Sequence, residues 1–345
     1  MQAVVLVGGL GTRLRPLTLT RPKQMLPIMH RPLIEHVVGR LAEHGIDDAV
    51  LSMGYRPDAF VAAYPDGRCA GVRLTYAVEP RPLGTAGAVR FAARQAGIDG
   101  RFLVLNGDVL TDLDIGALVG FHNHRNAEAT VHLHAVSDPS RFGVVVADAA
   151  GRVQAFVEKP PRNEAPTNLI NAGTYVLEPS VLDRIPEGRM VSIERETFPA
   201  LAADGTLYAL TGASYWLDVG VPEQYIQAHV DLLTGVRGGR HDGMHPDARV
   251  DSTARVSCAA IGPSALVAAG ARLERAVVLR GAQVERDAVV TDSVLGEDSI
   301  VESGASVVGA VVGDGETVPR DSLLEGVGGP IGNEQPRGVE GGALR

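Results

Sequence analysis

Branched aliphatic residues return every 17 positions through the last third of the chain, and few folds can hold that period. Three interleaved series carry it: Ile261, Val278, Leu295 and Val312; Val250, Val267, Val284, Val301 and Val318; Val256, Leu273, Val290, Val307 and Leu324. Steps between neighbouring series are 6, 5 and 6 residues. Small Ala, Gly and Ser residues fill many positions between them. One inward aliphatic per short strand and three strands per turn describe a triangular solenoid whose coils stack to form a continuous core. An ordinary sandwich of short strands would not keep this spacing over the 75 residues from Val250 to Leu324. The pattern predicts a little over four coils.

The texture before the repeat is different. Strand-like runs (Ala3–Val7, Ala49–Met53, Arg73–Val78, Phe102–Leu105) alternate with helix-like segments (Leu33–His44, Pro57–Tyr64, Ala86–Ala96, Ile115–His124). Alternation of this kind predicts βαβ units and a largely parallel sheet. The runs are almost continuously apolar, as strands covered on both faces should be. Four more strands, Ala129–Val136, Gly143–Val146, Val153–Val157 and Ile170–Leu177, are expected to join the same sheet. Residues 1–235 therefore read as a Rossmann-like α/β domain with a mixed, mostly parallel sheet. Residues 236–246, rich in Gly and His, read as a linker. Residues 247–326 carry the repeat and resemble the hexapeptide-repeat left-handed parallel β-helix. The Gly- and Pro-rich stretch 327–345 is expected to be a disordered tail.

Composition narrows the function. A chain of 345 residues with 45% apolar and 21% charged residues can build two cores. A formal charge of -9 argues against a broad nucleic-acid surface. The two cysteines, Cys69 and Cys258, are too few for a disulfide framework. No signal-like segment and no apolar run long enough to span a bilayer is evident. The expectation is a cytoplasmic protein that engages neither nucleic acid nor a membrane.

The first strand runs directly into Gly8-Gly9-Leu10-Gly11-Thr12-Arg13. Glycines let the backbone turn sharply and bring N–H groups against an anion. Arg13 and Lys23 add fixed positive charge, so the stretch suits a triphosphate. No Lys-Ser/Thr follows the last glycine, which excludes a Walker A loop. Leu14 stands where a dinucleotide fingerprint needs glycine.

GGLGTRLRPLT followed by RPKQMLP resembles the opening motif of the sugar-nucleotide pyrophosphorylases. The resemblance continues in order through PLGTAG (82–87), NGD (106–108), FGV (142–144), VEKP (157–160), NAG (171–173) and WLDVG (216–220). It spans the whole first domain, and a C-terminal β-helix is common in that family. The reaction it implies is attack of a sugar-1-phosphate oxygen on the α-phosphorus of a nucleoside triphosphate, with loss of pyrophosphate. The nucleophile is already an anion, so no general base is required.

The resemblance also implies roles. Arg13, Lys23, Asp108 and Lys159 are the expected catalytic residues. Leu6, Gly8, Gly9, Gly11, Thr12, Arg13, Glu79, Gly84 and Thr85 are expected to meet the nucleotide. Asn106, Gly143, Glu158, Lys159 and Asn171 are expected around the sugar phosphate. Asp108 and Asp218 are the expected Mg²⁺ ligands. Two carboxylates plus phosphate oxygens suit that hard cation.

Glu79 bears on the base. A carboxylate only accepts hydrogen bonds and can take both N1–H and N2–H₂ of guanine. Thymine and uracil offer one N–H between two carbonyls, which an amide suits better. Glu79 with GTAG and NAG points to GTP and, by default, mannose-1-phosphate. Gln24 looks more like the thymidylyltransferase branch, so thymidylyl or uridylyl transfer to glucose-1-phosphate stays open. So does guanylyl transfer to a cyclitol or heptose phosphate. A regulatory or scaffold relative without activity would tend to lose Arg13, Lys23, Asp108, Lys159 and Asp218, all present here. An acyltransferase working from the solenoid would want a histidine there, and the last one, His245, precedes the repeat. The solenoid is expected to support homo-oligomerisation.

Overall fold

The computed structural model describes residues 1–54 and 57–326. The expected tail 327–345 lies outside the described residues. The described residues fall into two compact units: residues 1–10 with 21–220, and residues 11–20 with 221–326.

The first unit is built on a 10-stranded mixed sheet. Its parallel centre runs Phe102–Asn106, Gln2–Leu6, Asp48–Met53, Val72–Val78, in that spatial order. Helices α1 (Leu33–Glu43), α2 (Pro57–Ala63), α3 (Gly84–Gln95) and α4 (Ile115–Arg125) connect or follow these strands. Asp114 caps α4 by accepting from Ala117 N. Antiparallel strands extend the sheet beyond Phe102–Asn106. Leu169–Leu177 pairs with it, Gly143–Ala147 and Val153–Glu158 follow, and Ala129–Ala135 also pairs with Leu169–Leu177. One strand unmarked in the sequence reading, Leu207–Thr211, runs parallel to Ala129–Ala135. The sheet separates two apolar layers. One gathers Val4, Val104, Tyr175 and Phe198; the other gathers Val5, Leu51, Ile34 and Phe60.

Strand order decides where a ligand can sit. From Gln2–Leu6 the chain winds to Asp48–Met53 and Val72–Val78 on one side, then returns to Phe102–Asn106 on the other. The reversal is a switch point, and open α/β sheets bind ligands in the crevice that such a point leaves beyond the carboxyl ends of its strands, here Gln2–Leu6 and Phe102–Asn106.

The second unit contains a left-handed parallel β-helix with three faces of five, five and four strands. Every rung repeats at 17 residues: Val250 pairs with Val267, Val256 with Leu273, and Ile261 with Val278. The aliphatic series forms its core, with Ala265, Ala271, Ala282, Ala288 and Ala305 between. The domain limits expected from composition differ from these units. Helix Pro222–Thr234 belongs with the β-helix, where Gln227 accepts a hydrogen bond from Arg275. The stretch expected as a linker packs onto the first coil: Ile261 N donates to Gly243 O at 2.7 Å, and Met244 bridges to Ile261. Segment Gly11–Thr20 also counts with this unit, and Thr20 Oγ1 donates to Asp314 Oδ2 at 2.7 Å.

Candidate active site

Leu6 and Asn106 are register partners at the ends of their strands, and Gly107 N donates to Leu6 O at 2.9 Å. The turn after each strand therefore starts at the crevice. One turn brings Gly8 and Gly9; the other brings Asp108. Buried Lys23, on a short helical turn Lys23–Met25, forms an ion pair with Asp108.

Asp218 arrives from far along the chain. A ribbon of two short strands, Val109–Thr111 and Trp216–Asp218, pairs Asp218 with Val109, while Val219 N donates to Asp108 O at 2.9 Å. Asp108 and Asp218 thus stand on neighbouring backbone. Two carboxylates on neighbouring backbone, one in a turn and one on a strand, are the donor type for a hard cation that completes its shell with substrate oxygens and water. No group of three or more His, Cys, Asp or Glu side chains that could enclose a metal occurs among the described residues. The pair fits a Mg²⁺ shared with substrate phosphates and does not fit a closed structural metal site.

Glu79 follows Val72–Val78, and its backbone N donates to Met53 O. Its Oε2 accepts from Leu83 N at 2.9 Å, and its Oε1 lies 3.9 Å from where a Cβ on Gly8 would be. The carboxylate is thus aimed beside the glycine turn. Burial pushes its pKa above the usual carboxylate range, and the Leu83 N–H pulls the other way. Gly84 opens α3 at φ +72°; a Cβ there would lie 2.5 Å from Val191 O, so only glycine fits. Thr85 is engaged within the protein: its hydroxyl donates to Glu194 and accepts from Ile193 N, both at 2.8 Å.

In the antiparallel part of the sheet, Gly143 and Glu158 are register partners. Lys159 takes a left-handed backbone, φ +50°, with N donating to Phe142 O. Its ammonium lies 3.3 Å from Glu158 and is more than half exposed. Asn171 donates to the Tyr175 hydroxyl at 2.8 Å and accepts from Gly173 N at 3.1 Å. Gly173, at φ +76°, leaves room for Asn106, whose Nδ2 lies 2.6 Å from where a Cβ would be.

The buried Tyr175 hydroxyl has its pKa raised, first by burial and then by Glu194, Glu158 and Asp108. Neither Tyr175 nor Glu194 stood out in the sequence. Trp216 was noted only as part of a motif. Its Nε1 donates to Ala172 O at 2.9 Å, its ring stacks on His134, and Phe142 meets it edge-on. It ties the strand of Asn171 to the strand of Asp218. No short motif announces such contacts, because the partners come from four separate segments. Gly11, Thr12 and Arg13 lie in the second unit, with Gly11 left-handed at φ +62° and Thr12–Leu14 a single helical turn.

The nucleotidyl transferase family model matches residues 2–235, and the GMPPB C-terminal domain model matches residues 242–327. Mannose-1-phosphate guanylyltransferase of Mycobacterium tuberculosis is 43% identical over 291 residues, covering 81% of this chain and 80% of that protein. A probable mannose-1-phosphate guanylyltransferase of Oryza sativa is 39% identical, covering 81% and 82%. Among solved structures, HddC from Yersinia pseudotuberculosis complexed with GMP-PN is similar at a TM-score of 0.57 and 28% identity, covering 66% of this chain and 97% of that one. A putative glucose-1-phosphate thymidylyltransferase from Bacillus anthracis is similar at a TM-score of 0.61 and 27% identity, covering 66% and 93%.

Proposed function

The chain belongs to the nucleotidyl transferase family and is a sugar-1-phosphate nucleotidyltransferase, and from that premise we propose that it converts GTP and mannose-1-phosphate to GDP-mannose and pyrophosphate. The observation that carries the guanine assignment is Glu79. Its carboxylate is fixed by Leu83 N beside Gly8, where it can accept both donors of a guanine edge. The names of the similar guanylyltransferases support the same donor and acceptor.

In this reading the triphosphate lies over Gly8 and Gly9 at the carboxyl end of Gln2–Leu6. Leu6 and Gly84 border the nucleoside, and Thr85 acts by holding the start of α3 to Ile193. Gly11, Thr12 and Arg13 keep the nucleotide roles that the opening motif implies, Arg13 supplying charge for the pyrophosphate. Lys23 supplies a second such charge. Asp108 and Asp218 would hold Mg²⁺, which when bound neutralises phosphate oxygens and polarises the α-phosphorus. Lys159 binds the phosphate of mannose-1-phosphate. Glu158, Asn171, Asn106 and the Gly143 backbone orient the sugar. Attack by the phosphate oxygen needs no proton removed, so the residues act by alignment and charge neutralisation.

Pyrophosphate release measured with GTP, dTTP and UTP, each against mannose-1-phosphate and glucose-1-phosphate, tests the proposal. Mannose-1-phosphate with GTP should give the highest kcat/KM. A higher value for dTTP or UTP would overturn the donor, and a higher value for glucose-1-phosphate the acceptor.

A further inference from the structure

A cavity of about 510 Å³ is lined in part by the loop that follows Glu79, at Pro80, Arg81 and Leu83. One wall is a face of α3, where Arg90 and Arg94 fall one helical turn apart with Phe91 beside them; the other is the loop Pro186–Arg189. Arg81 and Arg189 complete the lining, and Glu187 is its one carboxylate. The lining carries four guanidinium groups against one carboxylate, and two neighbouring carboxylates reach in: Asp183 pairs with Arg94, and Glu196 lies 2.6 Å from Arg189 in a pair exposed on both sides.

The present partners of these arginines are weak holders. Arg90 lies 3.1 Å from Glu187, whose side chain is 80% exposed. Arg94 pairs with Asp183, itself 73% exposed. Exposed pairs of this sort contribute little and exchange readily. Arg90 Nε is buried with no hydrogen-bond partner, which leaves one edge of its donor fork unused. Guanidinium forks match phosphate oxygens in pairs. Phe91 and Leu83 supply apolar surface beside that charge, and the volume lies within the range of small-molecule sites. None of the residues assigned to catalysis lines this cavity.

We propose that this cavity is a second binding site, distinct from the catalytic crevice, for a phosphorylated small molecule of about mononucleotide size, held by Arg90 and Arg94 with Arg81 and Arg189. It extends beyond the catalytic reading. Its floor gives it a route to the base side of the crevice: Leu83 lines it, and Leu83 N holds the Glu79 carboxylate while Leu83 O accepts from Val191 N.

Isothermal titration of the full chain with inorganic tripolyphosphate and with ADP, under saturating GDP-mannose, provides the test. Comparison of wild type with the Arg90→Gln/Arg94→Gln variant isolates the second site. A binding event that the double variant weakens tenfold or more, with basal kcat and KM within twofold of wild type, supports the site. Absence of any event that the variant weakens overturns it. Should the double variant melt early, Arg81→Gln, at an exposed position, replaces it and should weaken binding at least threefold; unchanged binding there also overturns the site. Failure of the catalytic reading shows separately, as failure of GDP-mannose to bind both proteins alike.

Discussion

Lys23 and Asp108 are ion-paired, with the lysine side chain 8% exposed and the aspartate 26% exposed. One buried cation and one partly open carboxylate therefore hold each other at the turn that follows Phe102–Asn106, where the proposed reading brings the phosphates of two substrates together. Asp108→Asn would leave the ammonium buried and short of its counter-charge. Removing one partner of a fully buried pair costs about 3–5 kcal/mol. With Asp108 partly solvated, we expect about 1–3 kcal/mol here. Turnover should fall by about two orders of magnitude or more, and Lys23→Ala should lower it as far. Urea denaturation beside steady-state kinetics separates the two effects; near-normal turnover in either folded variant would remove these residues from the chemistry.

Metal removal should stop the reaction. Chelation by EDTA is expected to abolish pyrophosphate release, and added Mg²⁺ to restore it. Asp218→Asn should raise the Mg²⁺ concentration for half-maximal rate about tenfold or more, because one of two carboxylate donors loses its charge. An unchanged Mg²⁺ requirement would exclude Asp218 as a ligand.

If Glu79 reads guanine as proposed, GTP binding should depend on pH. Its carboxyl is held above the ordinary range by burial, so it gains a proton at a higher pH than a free carboxylate does. The protonated form cannot accept from both guanine donors. KM for GTP should therefore rise as pH falls through that raised value and stay flat above it. Glu79→Gln should abolish the limb, lower kcat/KM for GTP at neutral pH by about tenfold or more, and narrow the preference over dTTP. A variant with the wild-type pH profile would assign base reading to another residue.

His132 gives stability its own acid limb. It is fully buried, neither ring nitrogen has a partner, and burial lowers its pKa to about 4. In the unfolded chain it protonates near 6.5, so the unfolded state binds the extra proton first. Stability from this group is present above about pH 6.5 and is lost as pH falls toward 4, to a total of a few kcal/mol. Urea midpoints of wild type and His132→Phe at pH 7.5 and 5 check this. The variant should lose less on acidification; equal losses would place the limb elsewhere.

Much of this protein can be read from its sequence, and the reasons differ by region. The solenoid is legible because one aliphatic per strand repeats without slippage, and Val267, Val284 and Val301 pair in the register that their spacing requires. The parallel strands are legible because burial on both faces leaves uninterrupted apolar runs. The ribbon of Val109–Thr111 with Trp216–Asp218 is not: three residues carry no period, and the partners are more than a hundred positions apart. The same holds for Glu194, whose contact with Thr85 joins positions 109 residues apart. The Gly- and His-rich stretch before the repeat looks like a linker because nothing in it is periodic. It packs because Gly243 has no side chain: a Cβ there would fall 2.6 Å from Ala259 O.

The fixed rung of the β-helix has a consequence for how the chain can change length. Each residue of one coil stands on the residue 17 positions before it, as Leu273 stands on Val256 and Val290 on Leu273. Insertion or loss of a whole coil returns every aliphatic to the interior, whereas a change of one residue within a strand would turn that face outward. The second unit thus behaves as a ruler with a single permitted graduation, free to grow or shrink in whole steps and intolerant of fractions.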